Sequence, residues 1–256
     1  MHPLVTSKQV LLYLRSLKRV LQKVVYLVQI LRYQKENNMF NWQNCKIFDY
    51  PYRYVICDDF LNDYDDTIFP DESWTKQNLS KRENNFTYAI SAKQSLSIVP
   101  KQTKILLSNI LSQEFHNYVC NLLEINLTNE STGIRRTHGD YRIAREAQLV
   151  ENYYTENNIL DPHYDNEVTI WTALLYFVDS KYGSFNIHDG QKNLLKQIPI
   201  KKNRLIITYN SANSWHSVSP WLEKTPRKSI YTTAEFKNYG RDADRKPIGA
   251  VEKWIK

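Results

Sequence analysis

Glycine is scarce, with six in 256 residues. No glycine-rich phosphate loop and no dinucleotide fingerprint occurs, which sets aside P-loop and Rossmann-type nucleotide chemistry. Cysteine is equally thin. Cys45, Cys57 and Cys120 are widely spaced, odd in number and without a C-x-x-C pair, so the expectation is of reduced thiols in a cytoplasmic setting, with neither a disulfide framework nor a cysteine zinc site. Acidic residues are missing altogether from positions 1–35, where Lys8, Arg15, Lys18, Arg19, Lys23, Arg32 and Lys35 stand. That imbalance accounts for the whole formal charge of +7, because the rest of the chain sets 27 basic residues against 27 acidic ones. A body without net charge offers no basic groove, and nucleic acid is not an expected partner. The apolar runs are interrupted by charge too often to span a bilayer, and the N-terminal flanks do not match a secretory signal.

What is present divides the chain in two. Wound at helical pitch, "LLYLRSLKRVLQKVVYLVQILRY" gathers its basic residues on one side and Leu14, Leu17, Val20, Leu21, Val24 and Val28 mostly on the other, the pattern of a basic amphipathic helix. Residues 1–38 therefore read as a helical extension. Its segment 8–33 could lie peripherally on an anionic membrane, act as a targeting presequence, or pack its apolar stripe on the body or on a second copy. Residues 39–256 read as the main domain, its length suited to a substantial core. Within it, 70–100 reads as loops, and "TKILLSNILSQEFHNYVCNLLEIN" reads as one amphipathic helix. From about 146 the pattern turns to strands: "EAQLVENYY", "VTIWTALLYFV", "GSFNIHDG", "NRLIITYN", "SWHSVS" and "RKSIYTTAEF". Helices in front of a β-rich second half give a fold class of α+β, mainly β.

Chemistry concentrates in that second half. In "DPHYDNEVTIWTALLYF", His163 and Asp165 are two apart at the start of a strand and so share a face, about 7 Å apart along the chain. His216, in "NSWHSVS", supplies a second imidazole. Two imidazoles and one carboxylate with coordination positions left open suit a non-haem Fe(II) centre, although zinc or manganese can use the same ligands. Arg227 and Ser229 follow on one face of the last strand, a guanidinium and a hydroxyl equipped to hold the far end of a dicarboxylate. His138 and Asp140 in "THGDYR" form a second His-x-Asp pair, but in a polar loop without a long strand behind it. His188–Asp189 lacks the alternating spacing and reads as a turn or a substrate contact. Trp171, Trp215 and Trp221 read as packing around the β-core.

These motifs, "NYYTENNILDPHYD" and "NRLIITYNSANSWHSVSP" with "PRKSIY", resemble the Fe(II)/2-oxoglutarate-dependent oxygenases, in particular the prolyl-4-hydroxylase-like branch, over about residues 50–236. The resemblance implies a double-stranded β-helix, or jelly roll, with buttressing helices and a metal-binding core at about 146–236. It implies Fe(II) on His163, Asp165 and His216, and 2-oxoglutarate salt-bridged to Arg227 beside Ser229. It also implies an assisting tyrosine about nine residues before the first ligand, where both Tyr154 and Tyr153 stand. Ascorbate would serve as reductant, and molecular oxygen as the other co-substrate. The implied reaction is hydroxylation of an unactivated carbon in a small molecule, a peptidyl residue or a glycan precursor, with release of succinate and carbon dioxide. The chain departs from the family in carrying only Gly183 where a glycine pair is common. The contrasting reading is a non-catalytic, cupin-like metal-binding module, against which Arg227 and Ser229 speak.

Overall fold

A computed structural model describes residues 39–82, 86–91, 96–125, 142–155, 159–165 and 169–237. The expected N-terminal helix and the pair His138 and Asp140 lie outside the described residues. By its internal contacts the chain divides into two compact units, Met1–Phe40 and Asn41–Lys256. All elements below belong to the second.

In chain order these are β1 (Cys45–Phe48), β2 (Tyr54–Cys57), α1 (Glu72–Asn78), β3 (Ser80–Lys81), β4 (Thr87–Ser91), α2 (Lys101–Ile110), α3 (Gln113–Leu122), β5 (Arg142–Asn152), β6 (Leu160–His163), β7 (Thr169–Tyr176), β8 (Ser180–His188), β9 (Leu194–Ile200), β10 (Leu205–Tyr209), β11 (His216–Val218) and β12 (Arg227–Lys237). Eight strands make one sheet in the order β1-β2-β10-β7-β12-β5-β4-β3, and four make the other in the order β6-β11-β8-β9. Every pairing is antiparallel. From β5 to β12 the chain passes back and forth between the sheets, except at the β8–β9 hairpin within the smaller one, and this is the double-stranded β-helix expected from the resemblance. Tyr176, Phe185, Ile187, Ile198, Ile200, Ile206, Val218 and Trp221 pack between the sheets as one core.

β7 is buried at nearly every position because both of its faces are covered. One face looks toward the smaller sheet through Thr172, Leu174 and Tyr176. The other presents Trp171, whose ring meets Phe115 and His116 of α3. The indole N–H of Trp171 donates to His116 Nδ1 at 3.2 Å. This explains why the sequence here shows an apolar run rather than strict alternation, and it places Trp171 in the packing role expected of it.

Three expectations are corrected. The single helix expected over 103–126 is two, α2 and α3, because the Ser112 hydroxyl accepts from the Phe115 N–H and starts a new helix. Residues 70–100, expected as loops, contain α1, β3 and β4. α1 spans only seven residues, capped by Asp71, and is too short to display a stripe. β4 owes its extended form to pairing with β5. Finally, Cys45 and Cys57 form a disulfide, and only Cys120 is free and buried. The two are direct partners across the β1–β2 hairpin, a juxtaposition that their twelve-residue separation does not advertise. The reduced-thiol argument for a cytoplasmic setting falls with that bond. No helix among the described residues is long and apolar enough to cross a membrane.

Candidate active site

β6 and β11 are adjacent in the smaller sheet, and His163 and His216 are direct partners across them. Their ring centroids are 4.4 Å apart. Asp165 follows two residues beyond His163, past the end of β6, and its carboxylate oxygen Oδ1 lies 3.9 Å from His216 Nε2. One donor atom from each of His163, Asp165 and His216 lies within 4.8 Å of the others.

Both imidazoles are oriented in the same way. The Nδ1 of His163 sits 2.7 Å from the Asp161 carbonyl, and that of His216 sits 2.9 Å from the Ser214 carbonyl. A carbonyl only accepts, so each Nδ1 carries a proton, and in a neutral ring the lone pair is then on Nε2. Phe185 stacks on the His216 ring. Burial pushes the His216 pKa down, against the smaller opposing pull of Asp165, and this favours the neutral form that ligates a metal. Thr172 of β7 donates its hydroxyl to Asp165 Oδ2, fixing the carboxylate from the opposite sheet.

A cavity of about 300 Å³ is lined by these donors and by Asn152, Tyr154, Arg227 and Ser229. Arg227 is 2% exposed. Its Nη1 donates to Asn152 Oδ1 at 3.1 Å, and its Nη2 to the Tyr176 hydroxyl at 2.7 Å. Both partners are neutral. Arg227 Nε and Ser229 Oγ are buried without a hydrogen-bond partner. A buried guanidinium faced only by neutral groups, with an unpaired hydroxyl beside it, is a costly arrangement that an anionic ligand would compensate. The residues therefore fit both groups implied by the resemblance: a divalent metal on a two-imidazole, one-carboxylate donor set, and a dicarboxylate on Arg227 and Ser229.

The two candidate tyrosines, just past the end of β5, differ in placement. Tyr154 is buried and lines the cavity. Tyr153 is turned away, its hydroxyl donating to Glu151 Oε2 at 3.2 Å. His188 also lies off the cavity, with Nε2 2.8 Å from Ser217 Oγ and Nδ1 3.0 Å from the Lys192 carbonyl. Asp189 beside it closes a turn by accepting from the Gln191 and Asn193 N–H groups. Trp221 is in the core, whereas Trp215 is only partly buried and packs edge-on against Tyr164. The sequence reading missed Thr172, Asn152 and Tyr176. A polar threonine inside an apolar run was a signal for the first. Asn152 and Tyr176 become visible only once β12 is paired with β5 and β7.

Gly183 lies within β8 rather than before it, at φ +65°. A Cβ there would meet the Trp221 ring at 2.5 Å and Arg227 Cδ at 3.3 Å. Gly183→Ala combines left-handed strain of about 1–2 kcal/mol with overpacking of about 1–3 kcal/mol. The expected result is a loss of about 2–5 kcal/mol in urea unfolding, together with weaker binding at Arg227. An unchanged midpoint would show that Trp221 can yield.

Residues 149–233 match the family model described as the 2OG-Fe(II) oxygenase superfamily. By that match the strand core carrying the site is similar to a superfamily of oxygenases, the one the sequence motifs resemble. No curated protein matches the chain. Among solved structures, a prolyl 4-hydroxylase from Phytophthora capsici is similar at 16% identity and a TM-score of 0.49, over 72% of this chain and 58% of that one. A Pseudomonas putida prolyl-4-hydroxylase is similar at 11% identity and 0.45, over 72% and 91%. A Trichoplax adhaerens prolyl hydroxylase, solved with a hypoxia inducible factor peptide fragment, is similar at 13% and 0.46, over 81% and 92%. The chain thus spans under two thirds of the Phytophthora enzyme's length.

Proposed function

We propose that this protein is a non-haem Fe(II) and 2-oxoglutarate-dependent dioxygenase that hydroxylates an unactivated carbon. The observation that carries the reading is the buried Arg227 guanidinium, which has no anionic partner among the described residues and lines the same cavity as His163, Asp165 and His216. Those three residues would hold the metal. Arg227 and Ser229 would hold the distal carboxylate of 2-oxoglutarate, with Tyr154 against it.

Iron with 2-oxoglutarate supplies the coupling of oxygen to hydroxylation, with succinate and carbon dioxide as co-products. The protein's part is placement. Asp161 and Ser214 aim the imidazoles through their carbonyls, and Thr172 aims Asp165. Asn152 and Tyr176 hold the guanidinium flat for a two-point contact. Leu160, Leu174, Phe185 and Val218 line the space between and keep it poor in water.

A metal-binding module without catalysis would need no buried cation lining its cavity. The test is succinate formation from 2-oxoglutarate by the full chain with Fe(II), oxygen and ascorbate. Turnover above the metal-free control is expected even without the primary substrate. Stoichiometric metal binding with neither 2-oxoglutarate binding nor succinate would favour the module.

A further inference from the structure

We propose that Arg82 is the substrate-side anion site of this cavity, and that the primary substrate is a small molecule carrying a single carboxylate. The inference rests on the dioxygenase reading and adds the substrate class to it.

Position is the first support. On the inner face of the larger sheet, Arg227 is opposite Asn152, and Tyr231 is opposite Gln148. The second pair lies four residues along, roughly 13 Å from the first at strand spacing. Gln148, Tyr231 and Arg82 all line the cavity with Thr172, the residue that holds Asp165. Arg82 follows β3, and its Nη2 donates to Gln148 Oε1 at 3.0 Å. The cavity is thus lined by two guanidiniums, Arg227 buried and Arg82 exposed, together with the proposed metal donors.

Charge is the second. A divalent metal, the Asp165 carboxylate, the Arg227 guanidinium and a 2-oxoglutarate dianion cancel, since histidines that ligate a metal are neutral. Arg82 then remains as one positive charge, exposed where it lines the cavity, with no carboxylate of the described residues in ion-pair contact. A monoanion entering from that side would pair with it, and the planar fork of arginine matches a carboxylate. A phosphate ester, with about 1.5–2 negative charges, would overshoot. A neutral residue within a polypeptide would bring no charge at all. The cavity, at about 300 Å³, is also at the small end of ligand sites.

The experiment uses the full chain loaded with Mn(II) and 2-oxoglutarate, so that binding is read without turnover. N-acetyl amino acids and simple aliphatic and aromatic carboxylic acids are titrated by calorimetry, each beside its own carboxamide. At least one acid should bind, and its carboxamide should bind at least about tenfold more weakly, the low end for a hydrogen bond to a charged group. Arg82→Gln should bring that acid down to the level of its carboxamide, and Arg82→Lys should keep part of the difference. Equal binding of an acid and its carboxamide, indifference of the acid to Arg82→Gln, or binding by none of the acids would each overturn the proposal. Titrations of Mn(II) and 2-oxoglutarate come first. If both bind, a negative result removes this inference alone. If neither binds, the dioxygenase reading falls and takes this one with it.

Discussion

Alanine at His163, Asp165 or His216 is expected to abolish stoichiometric Fe(II) binding and, with it, all 2-oxoglutarate-dependent succinate formation. Each change deletes one of three donors. The affinity loss should exceed the roughly 10- to 100-fold that removal of a mere orienting partner costs. The measurement is an anaerobic titration of one Fe(II) per chain, followed by the weak visible charge-transfer band that develops when a bidentate co-substrate is added. Asp140→Ala is the informative control, because His138 and Asp140 share the His-x-Asp spacing. A band that survives Asp165→Ala and vanishes in Asp140→Ala would move the site. Removing the metal with a chelator should mimic the ligand substitutions, and re-adding Fe(II) should restore only the unsubstituted chain.

Arg227→Ala should leave metal binding nearly intact while the 2-oxoglutarate requirement rises by roughly two to three and a half orders of magnitude. The figure follows from the loss of a buried charged partner, about 3–5 kcal/mol, at about 1.4 kcal/mol per decade. Arg227→Lys should rescue only partly, since an ammonium lacks the fork that bridges Asn152, Tyr176 and a carboxylate. Co-substrate titration of the Mn(II)-loaded variants reads this directly. Affinity equal to that of the unsubstituted chain would exclude Arg227 as the anchor. The other nearby cations are poorly placed to replace it. Arg204 is engaged by Asp58 at 2.6 Å and 3.0 Å, and Lys228 extends over the Phe69 ring.

The jelly roll was legible because alternating and apolar runs from 146 onward carry the face-to-face burial of eight strands, and six of those runs correspond to β5, β7, β8, β10, β11 and β12. β6 and β9 were not legible. β6 is four residues around a proline, and β9 mixes lysine and glutamine with its apolar positions because its burial alternates. Residues 70–100 were misread for a related reason. β3 and β4 are short, and β4 owes its strand form to β5, a partner far away in sequence.

The donor spacing of the candidate site could be read from residue types alone, since His163 and Asp165 sit at period two and Arg227 and Ser229 do so again. The supporting residues could not. Thr172 reaches Asp165 from the other sheet, and Asn152 reaches Arg227 from 75 positions upstream. Both relations exist only after the sheets have closed. The disulfide was hidden in the same way, by a hairpin that turns twelve residues of separation into direct opposition.

The facing of His163 and His216 across β6 and β11 makes the site a matter of register rather than of composition. One residue inserted between His163 and Asp165, or two, would displace the carboxylate from its place just past the end of β6 by roughly 3 to 7 Å of chain, and the donor set would be lost with every ligand still present in the sequence. An insertion between β5 and β6 would leave the relation between the three donors untouched. A search that counts histidines and aspartates would rate these three altered chains alike, whereas only the last retains the means to hold a metal.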